Sequence, residues 1–279
     1  MKIAHVILIH QNPSQLRRLI QRLAHPDADF YIHVDLKTDI NPFLSLQGDQ
    51  IKFIANRVSV YWGAYSIVQA MVNSFTEILK SVNHYDYINL LSGQDYPLKS
   101  TETIHDFFKN NPNKAFMHSL SVENEWQEAI PRLTKYHLTN YNFSGKYTLE
   151  KLINLFLPSR KMPNNLIAVG RSQWFSISSL HAEYVITYLQ ENRNVRRFFE
   201  LTWGSDEFVF QTILFNSIHQ KDMVNDNLRY IDWSENKASP KTLTINDLPN
   251  LLNSEGLFAR KFNENIDRNI MDELDKIHQ

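Results

Sequence analysis

Through the first hundred residues, short apolar runs alternate with amphipathic stretches. Residues 2–10 and 30–34 have the length and β-branched content of buried strands, and residues 51–54 predict a short third one. Between the first two, residues 15–23 put Leu16, Leu19, Ile20 and Leu23 on one helical face with arginines opposite. Residues 64–82 carry Ile67, Val68, Met71, Phe75, Ile78 and Leu79 at helical spacing, and residues 86–91 (DYINLL) predict another strand. Strands alternating with helices predict an α/β fold with a mainly parallel central sheet, flanked by helices through right-handed crossovers.

That last strand runs into Asn89 to Ser100, NLLSGQDYPLKS. Ser92-Gly93 is turn chemistry, Pro97 is expected to end any ladder, and Ser100 or Thr101 can cap a helix reaching about Lys109. Gln94, Asp95 and Tyr96 therefore fall just beyond the carboxyl end of a strand, where open α/β sheets place ligands. On spacing alone, the segment is a strand-to-helix turn whose Asp caps its own backbone.

After residue 120 the pattern turns irregular and polar until residue 165, and an excursion over the sheet edge is expected, with Trp126, Tyr136, Tyr141, Phe143 and Tyr147 available for burial. Residues 172–178 then predict a strand, 180–189 a helix, 205–215 a helix, 227–231 a strand and 266–277 a closing amphipathic helix. With no repeat or linker, one domain over residues 1–279 is expected, with a nucleotide-binding half (1–119) and an acceptor and catalytic half (120–279).

Composition narrows the function. A net charge of −1, with acids and bases interspersed, offers no basic footprint for nucleic acid. Cysteine is absent, which excludes disulfides and thiolate chemistry. Only 7 glycines occur and none forms a phosphate loop, against a dinucleotide fold or an NTPase. No apolar run is long enough to span a bilayer, so a cytoplasmic location is expected, with peripheral contact at the inner membrane face allowed. The 17 Phe, 12 Tyr and 5 Trp suit flat-ring recognition of sugars or bases, and equally an ordinary core.

Three motifs carry candidate chemistry. SGQDYPLKS resembles the hallmark of the core-2/I-branching N-acetylglucosaminyltransferase and peptide O-xylosyltransferase family, and the later motifs follow in the family's order. TWGSDEFVFQTIL resembles the segment that carries the family's catalytic base, which aligns with Glu207. On its own terms, Asp206 at a helix start suits the helix dipole, whereas Glu207 shares a face with Phe210 and Leu214, and a carboxylate among apolar neighbours gains basicity. Asp226 to Tyr230 and Leu257 to Phe262 (LFARKF) resemble the family's C-terminal pair, in which an Arg and a Lys hold the donor diphosphate, here Arg229 and Lys261. Read blandly, both are solvated strand ends.

The resemblance implies a GT-A-like nucleotide-diphospho-sugar transferase. It would be an inverting, metal-independent enzyme moving a sugar from a UDP-sugar to a glycan or glycolipid hydroxyl. N-acetylglucosamine is favoured as the sugar, with xylose, or a non-catalytic sugar-binding relative, as alternatives. Asp35, Trp62 and Asp95 would help seat the donor, and Trp174, Trp126 and Tyr136 the acceptor, with Arg132 and Lys135 near the latter two. Asp35 can equally be a strand-end cap and Trp62 a core residue at a helix start. No cofactor or metal is expected: Asp27-Ala-Asp29 precedes its strand, and Lys37 follows His33-Val34-Asp35 where a cation would sit.

Overall fold

The computed structural model describes residues 1–277. Twelve strands are, in chain order, β1 (Ile3–Ile9), β2 (Ala28–Val34), β3 (Ile51–Phe53), β4 (Tyr87–Ser92), β5 (Asp95–Pro97), β6 (Ala115–Phe116), β7 (Ser119–Ser121), β8 (Val169–Arg171), β9 (Ser176–Ser178), β10 (Met223–Val224), β11 (Arg229–Ile231) and β12 (Phe258–Arg260). Seven of them form the central sheet in the order β10-β6-β9-β4-β1-β2-β3. The β4-β1-β2-β3 block is parallel, and β9 enters antiparallel between β4 and β6. The sheet is thus mainly parallel, as the alternation predicts. β1 and β2 are almost wholly buried, which is what two covered faces require.

Helices cover both faces. On one lie α1 (Pro13–Arg22), α4 (Thr101–Asn110) and α11 (Asn269–Ile277), with α2 (Asn41–Leu44) and α10 (Leu248–Leu252) at the margin. Their core includes Leu16, Leu19, Ile104, Phe108, Met271 and Leu274. On the other lie α3 (Tyr65–Leu79), α7 (Ser179–Glu191), α8 (Arg193–Glu200) and α9 (Val209–Phe215), with α5 (Ile130–Thr134) beside them. Phe75, Phe175 and Phe210 meet there in tilted and edge-on contacts. The remaining helix, α6 (Lys146–Phe156), buries none of its residues.

The structure departs from the sequence pattern in several places. The segment after the β4 turn is not a bare turn: Asp95–Pro97 forms β5 in a three-stranded sheet β11-β12-β5, and its ladder ends at Pro97, which pairs with Phe258. The ring removes only the donor of an edge strand, which costs that ladder little. The excursion contains two helices, and Tyr141, Phe143 and Tyr147 are exposed rather than buried. Of the expected strand over 172–178, only β9 (Ser176–Ser178) forms; residues 172–175 are a loop between β8 and β9 held by Ser172. The expected helix over 205–215 begins as a 3-10 turn, Ser205–Glu207, entered through Gly204 at φ 67°. Phe208, at φ −123°, separates that turn from α9, so Glu207 is not on the Phe210–Leu214 stripe. Helix α8, unmarked by any clear stop after α7, buries Val195, Phe198 and Phe199 at i, i+3, i+4 spacing.

The small sheet is fastened to the large one by Arg229. Its guanidinium donates to Asn89 Oδ1 (2.6 Å) and Leu90 O (2.9 Å) on β4, and to Ser176 Oγ (3.1 Å) on β9 and Phe175 O (3.1 Å) just before it. Burial depresses this guanidinium to about 10. Replacing Arg229 by Met would remove a charged donor from each of these buried acceptors, of which Asn89 Oδ1 keeps the Ser176 hydroxyl and Phe175 O keeps the Leu90 N–H. A loss of about 3–5 kcal/mol is expected in urea denaturation. A loss below about 1 kcal/mol would show that the sheets hold together without it.

Candidate functional site

The carboxyl ends of β1, β2 and β4 open onto one edge of the sheet, where a small pocket is lined by His10, Gln11, Asn12, Gly93 and Gln94. Next to it, Asp35 follows β2. Its Oδ1 accepts the Lys37 backbone N–H at 2.9 Å, and Lys37 Nζ stands 3.4 Å from Oδ2. Lys37 also donates to Val60 O and lies 4.3 Å from the Tyr61 ring centroid. Asp35 therefore caps its own turn and folds the 58–63 loop against the strand end. That loop presents Trp62, which is 68% exposed and so is no core residue.

On the opposite side of the β4 turn, Asp95 is fully buried on β5, directly across from Arg260 on β12. Asp95 Oδ2 accepts the Ser92 backbone N–H at 2.9 Å, and Arg260 Nε lies 3.5 Å from Oδ1. Burial raises the Asp95 carboxyl, and Arg260 opposes that rise. Arg260 is almost as buried, yet its Nε and Nη1 have no hydrogen-bond partner, and its guanidinium lies 4.1 Å from the Trp174 ring centroid. Lys261 is half-buried, its ammonium lowered by burial and by Arg260. The cations with unused donors here are thus Arg260 and Lys261. Arg229 is engaged by the two sheets, with only Nε unpartnered. The FARKF run signalled two adjacent cations, but nothing in it says that Arg260 would face Asp95.

Glu207 ends the 3-10 turn before α9. Its Oε2 accepts from Arg132 Nη1 at 2.6 Å, while 31% of the side chain remains exposed. Arg132, on α5, lies between two indoles, 4.3 Å from the Trp203 centroid and 5.1 Å from that of Trp126. Trp203 meets Trp62 edge-on at 5.3 Å. Trp126 is buried and stacks on Phe208, so it backs Arg132 rather than lining an open wall. Tyr136 sits farther along this segment, half-buried, 5.5 Å from the Arg160 guanidinium, with both its backbone groups bonded to Asn154. Burial raises Glu207 and the Arg132 pair opposes the rise. Asp206, beside it, is buried with Oδ1 unpartnered, and desolvation together with the charge of Glu207 pushes it up to about 7. The sequence pattern treats Asp206 as a dipole-capping acid; its burial depends on the 3-10 turn.

The two halves of this arrangement are joined through the β8–β9 loop. A Cβ on Gly170 of β8 would stand 2.2 Å from Glu207 O, so only glycine lets the turn that carries Glu207 approach so closely. Gln211 of α9 donates to Ser172 O, Ser172 Oγ accepts the Trp174 N–H, and Trp174 reaches Arg260. The Asp27–Asp29 triplet lies away from this edge. Asp29 is in β2 at the amino end of the sheet, bonded to Tyr85 and ion-paired with Lys2 at 3.1 Å. Among the described residues, His181, His219 and Asp222 have metal-ligand spacing. They too belong to the amino end, since Ser178 before His181 pairs with Tyr87 at the start of β4, and hydrogen bonds to Ser178 and Asp222 join them.

The family model described as Branch, Core-2/I-Branching enzyme, matches residues 3–253. Among curated proteins, human "Xylosyltransferase 2" is 26% identical over 98% of this chain and 33% of its own length. Rat "Xylosyltransferase 1" is 25% identical over 98% of this chain and 35% of its own. The Drosophila melanogaster "Xylosyltransferase oxt" is 25% identical over 94% and 32%. The chain thus spans about a third of the length of these relatives. Among solved structures, apo mouse "Xyloside xylosyltransferase 1" aligns with a TM-score of 0.41 and 11% identity, over 92% of this chain and 97% of that one.

The adjacent acids make stability pH-dependent with a definite sign. Asp206 holds its proton to about pH 7 in the folded chain and releases it near pH 4 when unfolded. The folded state is the proton-richer one across that window, so stability falls as pH rises through it. Asp206→Asn is expected to flatten this fall, raising stability at pH 8 relative to pH 5 by about 1–3 kcal/mol against wild type. Parallel slopes for the two proteins in denaturation across pH 4–8 would contradict the assignment.

Proposed function

The chain belongs to the Core-2/I-branching enzyme family, and from that premise we propose that it is a GT-A-like, inverting glycosyltransferase that uses a UDP-sugar without a metal. The observation that carries this reading is the pairing of one fixed, half-open carboxylate with two under-used cations across the β8–β9 loop. Arg132 holds Oε2 of Glu207, which leaves Oε1 to accept the proton of an acceptor hydroxyl. The hydroxyl oxygen attacks the anomeric carbon from the face opposite the leaving group. The bond from that carbon to the β-phosphate oxygen breaks, its electron pair stays on the diphosphate, and the configuration inverts. Arg260 and Lys261 stabilise the charge that builds on UDP, and a pair of fixed cations does there what a metal does elsewhere. Asp95 then positions Arg260 rather than touching the sugar, and Arg229 supports both from beneath. Asp35 and Trp62 border the nucleotide, and Trp174 lies between donor and acceptor. The named activity of the curated relatives makes xylose the first donor to test, ahead of N-acetylglucosamine.

Glu207→Gln should bind UDP with near wild-type affinity by calorimetry while turnover falls about 10²–10⁴-fold. Normal turnover in this variant would remove Glu207 as the base. Arg260→Gln is expected to lower kcat/KM by about 10²–10³-fold and to weaken UDP itself. A variant that binds UDP normally would return the diphosphate to Arg229. EDTA should leave turnover unchanged; a loss restored by Mn²⁺ would place a metal in the reaction.

A further inference from the structure

Helix α6 is built inside out. Two of its polar side chains face the protein: Glu150 Oε2 accepts the Leu138 N–H at 2.8 Å, and Asn154 accepts from Tyr136 N and donates to Tyr136 O, each at 2.8 Å. Apart from the half-buried Ile153, its apolar side chains face outward. Leu152 is 47% exposed, Leu155 73% and Phe156 77%, with Leu149 and Leu157 continuing the patch. Helical geometry puts Leu149, Leu152 and Phe156 on one side, roughly opposite Glu150 and Asn154. The usual surface helix has the reverse arrangement. An exposed apolar face of this size on a well-packed chain marks a contact surface.

The local charge selects the occupant. Residues 135–165 carry five cations and a single acid, in a chain whose net charge is −1; Arg160 is buried against Lys135 O and Leu201 O, which leaves Lys135, Lys146, Lys151 and Lys161 towards the surface. That acid, Glu150, is turned inward against Leu138, and Lys151 and Lys161 are exposed beside the apolar side chains. A symmetric contact with a second copy would bring this cationic rim against itself. An anionic bilayer complements both halves, taking Leu152, Leu155 and Phe156 below the headgroups and the lysines at their level. We infer that α6 is an interfacial helix that seats the chain on an anionic lipid surface.

The same helix adjoins the catalytic segment. Asn154 and Glu150 hold residues 136–138, Arg160 N donates to Thr134 O at the end of α5, and α5 carries the Arg132 that fixes Glu207. A surface-seated α6 would thereby set Glu207 beside acceptors borne on that surface. This consequence rests on the glycosyl-transfer reading, whereas the seating itself does not.

Flotation with vesicles of phosphatidylcholine and phosphatidylglycerol at 70:30, against pure phosphatidylcholine, tests the seating without any turnover. Wild type should float with the anionic vesicles and be released by 0.5 M salt. Leu155→Glu/Phe156→Glu should cut binding at least tenfold, and Lys151→Glu/Lys161→Glu by about fivefold per lysine removed. Both variants alter exposed side chains, so their melting temperatures should match wild type, which separates lost seating from lost folding. Absence of wild-type binding to the anionic vesicles would overturn the proposal, as would unchanged binding by both variants. Self-association in sedimentation velocity, lost in Leu155→Glu/Phe156→Glu, would assign the face to a second copy instead.

Discussion

A buried guanidinium with no carboxylate in contact holds this molecule together. Arg229 directs its donors at the backbone and side-chain oxygens of β4 and β9, while Asp95 acts on it only through space. Withdrawing such a charge from water is costly unless its hydrogen bonds are met, and here most of them are. The small sheet β11-β12-β5 is thereby locked at one position against the large sheet. That lock sets where β12 ends, and so where Arg260 and Lys261 stand relative to the strand ends.

A second constraint acts at close range between Gly170 and the Glu207 turn. The backbone contact permits no side chain at residue 170, so the carboxylate is placed by main chain on one side and by Arg132 on the other. Arg132 is itself fixed by Trp203 and Trp126. The orientation of Glu207 is accordingly a property of rigid neighbours, while its unpaired oxygen stays available. Asp206 keeps its place at a cost in desolvation, which its proton relieves up to about pH 7.

Much of the sheet was legible because its strands and helices are long enough to show a period. β1, β2, β4, α1, α3 and α7 all follow from apolar spacing, and Ser100 caps α4 as its position suggests. What escaped was set by contacts distant in sequence. The pairing of Asp95 with Arg260 joins residues far apart in the chain, so no local pattern separates Arg260 from any other strand-end cation. The 3-10 turn at Ser205–Glu207 depends on Gly204 and on the approach of Gly170, and it turns Glu207 off the stripe that helical spacing assigns it. Helix α6 escaped for another reason: its apolar face points away from the core, so its periodicity did not signal burial. Motif resemblance, by contrast, nominates Glu207 and Lys261 without any knowledge of these contacts.

The aromatic surroundings of the site have an optical consequence. Of the chain's 5 tryptophans, Trp62, Trp126 and Trp203 are grouped around Arg132, and Trp174 lies against Arg260, leaving only Trp233 elsewhere. Indole emission responds to nearby charge and to water, and both change when a charged, flat-ringed molecule fills a cleft. Four of the five indoles therefore lie around the proposed site, so its occupancy is expected to be readable in intrinsic fluorescence without a label.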